Sequence, residues 1–521
     1  MKCLSLITLT LGLVPLVASY PAYNFSVPVD HFHNESRYEP HTNDFFNLRY
    51  WFDASHYKEG GPIFLLAGGE DDASLLLPIL SHGIFSKLVK TYNGIGVILE
   101  HRYYGTSFPV NEITPESLRF LTTEQAMADY AYFASHITLP GLEQVNLTAQ
   151  SGTPWIAYGV SYAGGFVSFL RKLYPDIYYG AISSSGTTAA VVDYWKYYEP
   201  IRHYGPPNCI KATQDFVDII DHILINHEDN QTLSQQLKTS IGASPDLPSR
   251  TFALQVSGVV GSFQNRNWDP AIGAPIFREY CDNITSSDLL YPETSLAEAS
   301  IKEIITIAGY NASDDRFVTG MLNQAGYYNH TIFKFDSSSS STTPSPSSGT
   351  THNKGDLHLS KGYSWFYQLC TEWGNYYTGA GTPSHIRPLV SRLIDVATQA
   401  STCPLLGIKS PPDVERINRY GGLHFSYPRV AMIGGLADPW RDVTPLAEGL
   451  PLRPSTDDEP VILIDLSADE VWDGIRGAVH HWELNGATTD NYPPGLPPKG
   501  IVEAWDEIVR FVGVWLHGEG H

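Results

Sequence analysis

Short apolar runs, each closed by small or polar residues, punctuate the first part of the chain. Residues 61–66 read Gly-Pro-Ile-Phe-Leu-Leu and end at Ala67-Gly68-Gly69. Residues 94–99 end at Glu100-His101-Arg102, residues 155–160 end at Ser161, and residues 179–183 close in small residues. Runs this short, with helical-looking stretches between them, predict buried parallel strands of an α/β sheet. Residues 117–134 and 164–173 are expected to supply two of the intervening helices.

After about Val192 this rhythm stops and the pattern turns helical up to about Leu405. Strand-like runs resume at residues 430–433 and 461–464. Ile501, Ala504, Trp505, Ile508, Val512 and Trp515 then recur at helical spacing, predicting a C-terminal helix over 501–516. The chain therefore divides into a first core segment (20–191), a helical insert (192–405) and a second core segment (406–521). Residues 337–348 are Ser, Thr and Pro alone, a composition that buries no apolar surface and predicts a mobile loop or glycosylated stalk.

The start of the chain is read differently. Lys2, an apolar run over residues 4–17, then Ala18 and Ser19 have the order of a secretory signal peptide, residues 1–19. The run is too short to favour a membrane anchor, and no later run is long enough to span a bilayer. Of five cysteines, Cys3 leaves with the signal, and Cys209, Cys281, Cys370 and Cys403 remain. In an oxidising compartment four cysteines predict two disulfides in one of three pairings. The sequence-local pairing, Cys209–Cys281 with Cys370–Cys403, is the expected one. None of the four has zinc-site spacing, and neither a metal nor another cofactor is expected. Acceptor sequons stand at Asn24, Asn34, Asn146, Asn230, Asn283, Asn311 and Asn329.

A 521-residue chain with 42% hydrophobic residues can bury one large core and a second region. Its net charge of −22 argues against nucleic acid and anionic membrane as partners, because like charges repel. Two readings of that charge stand side by side: plain solubility, and service in an acidic medium where carboxylates partly protonate. Whether two copies pair as a homodimer is left open.

The strongest chemical signal is Gly159-Val160-Ser161-Tyr162-Ala163-Gly164, set between an apolar strand and an apolar helix. A nucleophile elbow needs small residues beside its serine, because bulk there would strike the adjoining strand and helix. Gly159 and Ala163 meet that need. The turn also aims the Tyr162 N–H at a developing oxyanion, with Gly69 as a candidate second donor. An elbow of this kind, a mostly parallel sheet and a helical cap inserted between strands together predict an α/β-hydrolase fold.

Serine needs a base, and the base needs a carboxylate to orient it. In this fold both follow the serine, on loops after late strands. Asp438 follows residues 430–433 through Gly434-Gly435-Leu436-Ala437 and meets Pro439-Trp440. It is better set than Asp442, Asp465 or Asp473. His480 and His481 follow residues 461–464, and pattern alone does not choose between them. Glu70, Asp71 and Asp72 form either a solvated acidic turn or a site for a substrate amino terminus. Glu100 and Arg102 are expected to pair as a structural ion pair beneath the elbow. Glu372, Trp373 and Trp440 are candidates to line a substrate pocket, since an aromatic wall suits the flat, apolar ring of proline.

Five ordered blocks carry a family resemblance. They are residues 100–107 (Glu-His-Arg-Tyr-Tyr-Gly-Thr-Ser), residues 159–164, residues 370–374 (Cys-Thr-Glu-Trp-Gly), residues 437–440 (Ala-Asp-Pro-Trp) and the Gly-x-x-His ending at His480. The chain resembles the serine peptidases that include lysosomal Pro-Xaa carboxypeptidase, dipeptidyl peptidase II, the thymus-specific serine protease and fungal acid prolyl endopeptidases. That resemblance implies a Ser161-Asp438-His480 triad, favours His480 as the base, and makes residues 192–405 a cap. It implies peptide substrates, a frequent preference for proline and for acidic pH. The chain departs from the family at Gly68-Gly69-Glu70-Asp71-Asp72 and at the Ser/Pro tract. A secreted carboxylesterase or lipase with the same triad is the alternative reading.

Overall fold

The computed structural model describes residues 20–334, 361–451, 453–466, 475–486 and 495–518. The signal segment, the Ser/Pro tract and Asp473 lie outside these ranges. In chain order the strands are β1 (Tyr23–Pro28), β2 (Phe45–Asp53), β3 (Ile63–Ala67), β4 (Ile95–Leu99), β5 (Trp155–Val160), β6 (Gly180–Ser184), β7 (Val191–Asp193), β8 (Gly374–Tyr376), β9 (Val430–Gly435) and β10 (Val461–Ile464). One sheet has the order β1-β2-β4-β3-β5-β6-β9-β10. From β4 through β10 neighbouring strands run parallel. β1 and β2 form an antiparallel edge.

The four early strands and two late ones stand where the apolar runs predict them, each within two residues. Their side chains alternate between two cores, as a pleated strand requires. Ile63, Leu65 and Ala67 of β3 and Trp155 and Ala157 of β5 enter one core. Phe64 and Leu66, and Ile156 and Tyr158, enter the other. On the first side lie α2 (Thr123–His136) and α3 (Tyr162–Leu173); on the second lie α1 (Gly83–Thr91) and the C-terminal helix Lys499–His517. The parallel sheet covered by helices on both faces, with a serine turn between β5 and α3, is an α/β-hydrolase fold.

Two local features differ from the expectation. Residues 117–134 are not one helix: Ser117–Phe120 is a single 3-10 turn, and α2 starts only at Thr123. Thr122 adopts an extended conformation and its hydroxyl accepts the Gln125 N–H, which caps a new helix start. The β1–β2 edge has no counterpart among the predicted strands. Its alternation is broken by Trp51, buried beside the buried Tyr50, and its pairing partner lies far along the chain.

β6 and β9 are hydrogen-bonded neighbours, with Ala181 opposite Val430, although residues 185–429 separate them in sequence. Much of the described part of that span is helical, including Pro207–Leu224, Ser249–Gly261, Ile276–Thr285 and Asp315–Tyr328. Both disulfides take the sequence-local pairing. Cys209–Cys281 and Cys370–Cys403 have Cα separations of 5.1 and 5.6 Å. The short β7–β8 pair joins the exit of the first core segment to the residue after Trp373. Of the seven sequons, Asn24, Asn34, Asn146, Asn230 and Asn311 are exposed. Asn283 and Asn329 are half-buried, and the Asn283 amide already donates to the Glu279 carbonyl and accepts from Tyr291, each at 2.7 Å.

Candidate active site

Ser161 ends β5 and starts α3 with φ 56° and ψ −127°. A non-glycine residue there is strained, and the surrounding hydrogen bonds hold it. Its N–H donates to the Ser184 carbonyl at 2.9 Å, and its own carbonyl accepts the Gly164 N–H at 2.9 Å. The small neighbours are required by close approach: a Cβ on Gly159 would collide with the Ala163 carbonyl, and one on Gly165 with the Thr187 carbonyl. Tyr162 opens α3, where helix geometry leaves the first N–H groups without intrahelical partners. Gly69 has φ +67°, and a Cβ there would rest 3.6 Å from the Ala163 Cβ, so its backbone faces the elbow.

A buried network supports the elbow from below. The Tyr162 hydroxyl donates to His101 Nε2 at 3.0 Å and accepts from Gln368 Nε2 at 2.9 Å. The Tyr104 hydroxyl donates to Gln368 Oε1. Burial pushes His101 down to about 4, so the ring is neutral, its Nδ1–H donating to the Arg102 carbonyl at 2.7 Å. Glu100 and Arg102 are structural but do not pair with each other. Glu100 accepts from Arg49 at 2.5 Å and from the Ser107 hydroxyl at 2.7 Å. Arg102 makes a two-pronged bond to Asp129, both contacts at 2.6 Å. Both residues lie past the end of β4, where the chain leaves strand geometry, and each meets a partner from a different element: Arg49 of β2 for Glu100 and Asp129 of α2 for Arg102.

Glu372 and Trp373 are also drawn inward. Glu372 is buried and accepts from the Thr123 N–H at 2.9 Å and the Thr123 hydroxyl at 3.0 Å, holding the first turn of α2. Trp373 Nε1 donates to the same hydroxyl at 3.2 Å, and its ring meets Tyr162 edge-on. These contacts make the pair a clamp on the core rather than a wall that a peptide touches. Trp440 differs. It is half-buried, packs beside Tyr194 and Tyr197, and donates through Nε1 to Gln264 at 2.7 Å.

Asp438 sits on the turn after β9 and His480 on the segment after β10. His480 Nδ1 lies 2.9 and 3.0 Å from the two Asp438 carboxylate oxygens, and both residues are buried. The Trp440 N–H also donates to Asp438 at 2.9 Å. Burial alone would raise the Asp438 carboxyl. The His480 charge, the hydrogen bonds from His480 and Trp440, and the Ser185 hydroxyl hold it below its ordinary value. His481 turns away with φ 40°, its N–H donating to Ser185 Oγ at 2.9 Å. Burial and the neighbouring His480 push His481 down to about 3, so it stays neutral.

Glu70 is half-buried beside this pair. Burial pushes its carboxyl up to about 7, opposed by its own N–H and by His480. Asp72 is structural: it caps the Ser74 N–H at 2.9 Å and pairs with Arg49 at 2.5 Å. Ser185 is a site residue that sequence reasoning misses. It has φ 48°, receives the His481 N–H and donates to Asp438, and its one sign in the sequence is the small-residue run after β6. Ser185→Ala should lower kcat about tenfold with KM unchanged, the worth of one hydrogen bond to a charged group. Steady-state kinetics check this; an unchanged kcat removes Ser185 from the site.

The description "Serine carboxypeptidase S28" matches residues 28–449. The chain belongs to that family. A "Probable extracellular serine carboxypeptidase" of Arthroderma benhamiae is 44% identical over 96% of this chain and 68% of its own. The mouse "Thymus-specific serine protease" is 26% identical over 80% of this chain and 77% of its own. The protein is thus a serine-type peptidase, as its blocks lead one to expect. Among solved structures, Epoxide Hydrolase A from Mycobacterium thermoresistibile covers 94% of this chain and 98% of its own at 12% identity with a TM-score of 0.28. That likeness is too remote to bear on the chemistry.

Proposed function

We propose that this S28-family member is a secreted carboxypeptidase that cleaves after proline through a Ser161-His480-Asp438 triad. The observation that carries this reading is the His480–Asp438 hydrogen bond, on turns after late strands of the sheet that carries the Ser161 elbow. Ser161 Oγ attacks the scissile carbonyl carbon while His480 Nε2 takes its proton. Asp438 keeps the Nδ1–H tautomer and stabilises the imidazolium. The Tyr162 and Gly69 N–H groups receive the oxyanion. His480 then protonates the leaving amine, and water repeats the sequence on the acyl-enzyme.

Trp440, half-buried two residues after Asp438 and backed by the buried rings of Tyr194 and Tyr197, suits a proline ring. Below pH about 7 Glu70 keeps its proton and offers an O–H donor to a terminal carboxylate, which favours the carboxyl end and an acidic medium. Secretion is supported by the signal-like residues 1–19, two disulfides and the extracellular description of the A. benhamiae relative. No helix among the described residues is long and apolar enough to cross a membrane. Residues 20–191 and 406–521 act as the core and 192–405 as its cap.

A peptide library digested across acidic to mildly alkaline pH, with products read by mass spectrometry, tests the reading. Single residues should leave the carboxyl end where proline precedes them, fastest in acid. Release from the amino end, or cleavage indifferent to proline, rejects the specificity.

A further inference from the structure

On the sheet face covered by α1 and the C-terminal helix, a carboxyl group is buried behind Asp438 and His480. Glu483 is 0% exposed, and neither of its carboxylate oxygens has a hydrogen-bond partner at full geometry among the described residues. Its nearest polar neighbours are the hydroxyls of Tyr158 on β5 and Ser184 on β6. Both hydroxyls are themselves buried and unsatisfied, as is the Asn485 amide nitrogen. A buried carboxylate with no counter-charge is far costlier than the neutral acid. A hydroxyl neighbour can accept a hydrogen bond from the neutral acid's O–H or donate one to its carbonyl oxygen.

The backbone around Glu483 is fixed from several directions. The Trp505 indole donates to the Glu483 carbonyl at 2.6 Å. The Trp268 indole donates to the Trp482 carbonyl at 2.9 Å, and the Trp482 indole to the Arg266 carbonyl at 2.7 Å. This is the segment that carries His480. Ser184, the Glu483 neighbour on β6, accepts the Ser161 N–H at 2.9 Å through its carbonyl. One buried acid therefore bridges the turn of the serine and the turn of the histidine.

We propose that Glu483 is a positioning residue that works as a neutral carboxylic acid, its O–H donating to Tyr158 and its carbonyl oxygen accepting the Ser184 hydroxyl, and so locks the His480 segment onto the β5–β6 strand ends. The proposal rests on His480 being the base. Burial pushes the Glu483 carboxyl up to about 7; Ser184, its own N–H and His480 oppose this, and Asp438 adds to it. The groups that face it are Tyr158 from β5, Asp438 from the turn after β9 and His480 on its own segment. α1 approaches the segment through Gly83, and the C-terminal helix through Trp505, neither of them charged. The folded state holds this proton between the ordinary carboxyl value of 4.5 and about 7, so over that window the lock weakens as pH rises. Above it, a second negative charge beside Asp438 forces the segment to shift or admit water.

The rate at which a fluorophosphonate labels Ser161, followed against pH, tests this without a chosen substrate. Wild-type labelling should fall at least about tenfold between pH 6 and 8.5, one proton lost from a group near 7. Glu483→Gln keeps a neutral donor of the same shape, and its labelling at pH 8.5 should stay within about threefold of that at pH 6. Ser184→Ala removes a hydroxyl that favours the carboxylate, and should move the alkaline fall to higher pH. A flat wild-type profile, or a folded E483Q that falls as the wild type does, overturns the proposal. If E483Q does not fold, an S184A profile that is unmoved or moves to lower pH overturns it instead. His480→Ala should label slowly at every pH; normal labelling there would sink the triad reading and the inference with it, whereas a wild-type-like E483Q profile overturns the inference alone.

Discussion

Replacing Ser161 by alanine is expected to lower kcat by about 10⁶-fold, because the attacking oxygen is gone and the rest of the site can only bind and polarise. The fold should survive. The Ser161 side chain caps nothing in α3, and the N–H bond to Ser184 and the carbonyl bond to Gly164 are backbone contacts that alanine keeps. Alanine is also no more strained than serine at φ 56°. Melting temperature and near-ultraviolet circular dichroism should match the wild type, and fluorophosphonate labelling should vanish. Turnover retained by a folded Ser161→Ala protein would remove the serine from the mechanism.

The second large effect is expected at Asp438. The substitution Asp438→Asn keeps the shape but offers an amide to His480 Nδ1. The imidazole would then carry its proton on Nε2, facing the serine it should deprotonate, and kcat should fall by about 10⁴-fold. The same substitution has a stability signature whose sign follows from the lowered Asp438 value. A carboxyl held below its ordinary value contributes stability above that ordinary value and loses it as pH falls through the folded one. Asp438→Asn should therefore be less stable than the wild type near neutrality, the gap closing in acid. Thermal melts across a pH series read this directly. A gap that widens in acid would mean that Asp438 is not the ionised partner of His480.

The family blocks and the chemistry they carry are open to reading because each is local. Gly159, Ser161 and Ala163 lie within one turn, so their sizes declare a strand-to-helix elbow without reference to the rest of the chain. Asp438 announces itself through the Gly-Gly run that ends β9. Glu483 has no such signature. Its neighbours Tyr158 and Ser184 come from two other strands, and nothing near it in sequence says that it is buried. Ser185 is equally silent, since one more serine after β6 reads as a small residue closing a strand.

Short continuous apolar runs and the elbow are properties of neighbouring residues, so the sequence by itself determined the parallel strands and the position of Ser161. Even there, one hydroxyl on Thr122 outweighed a continuous helical pattern and moved the start of α2. The tertiary structure decided what depends on direction and desolvation. It turned His480 rather than the adjacent His481 onto Asp438. It split the Glu100-Arg102 pair between Arg49 and Asp129, and folded Glu372 under α2. The two histidines have the same chemistry and sit side by side in the chain, and only the packing of distant strands selects which one faces the site, just as it supplies the partners that Glu100, Arg102 and Glu372 find.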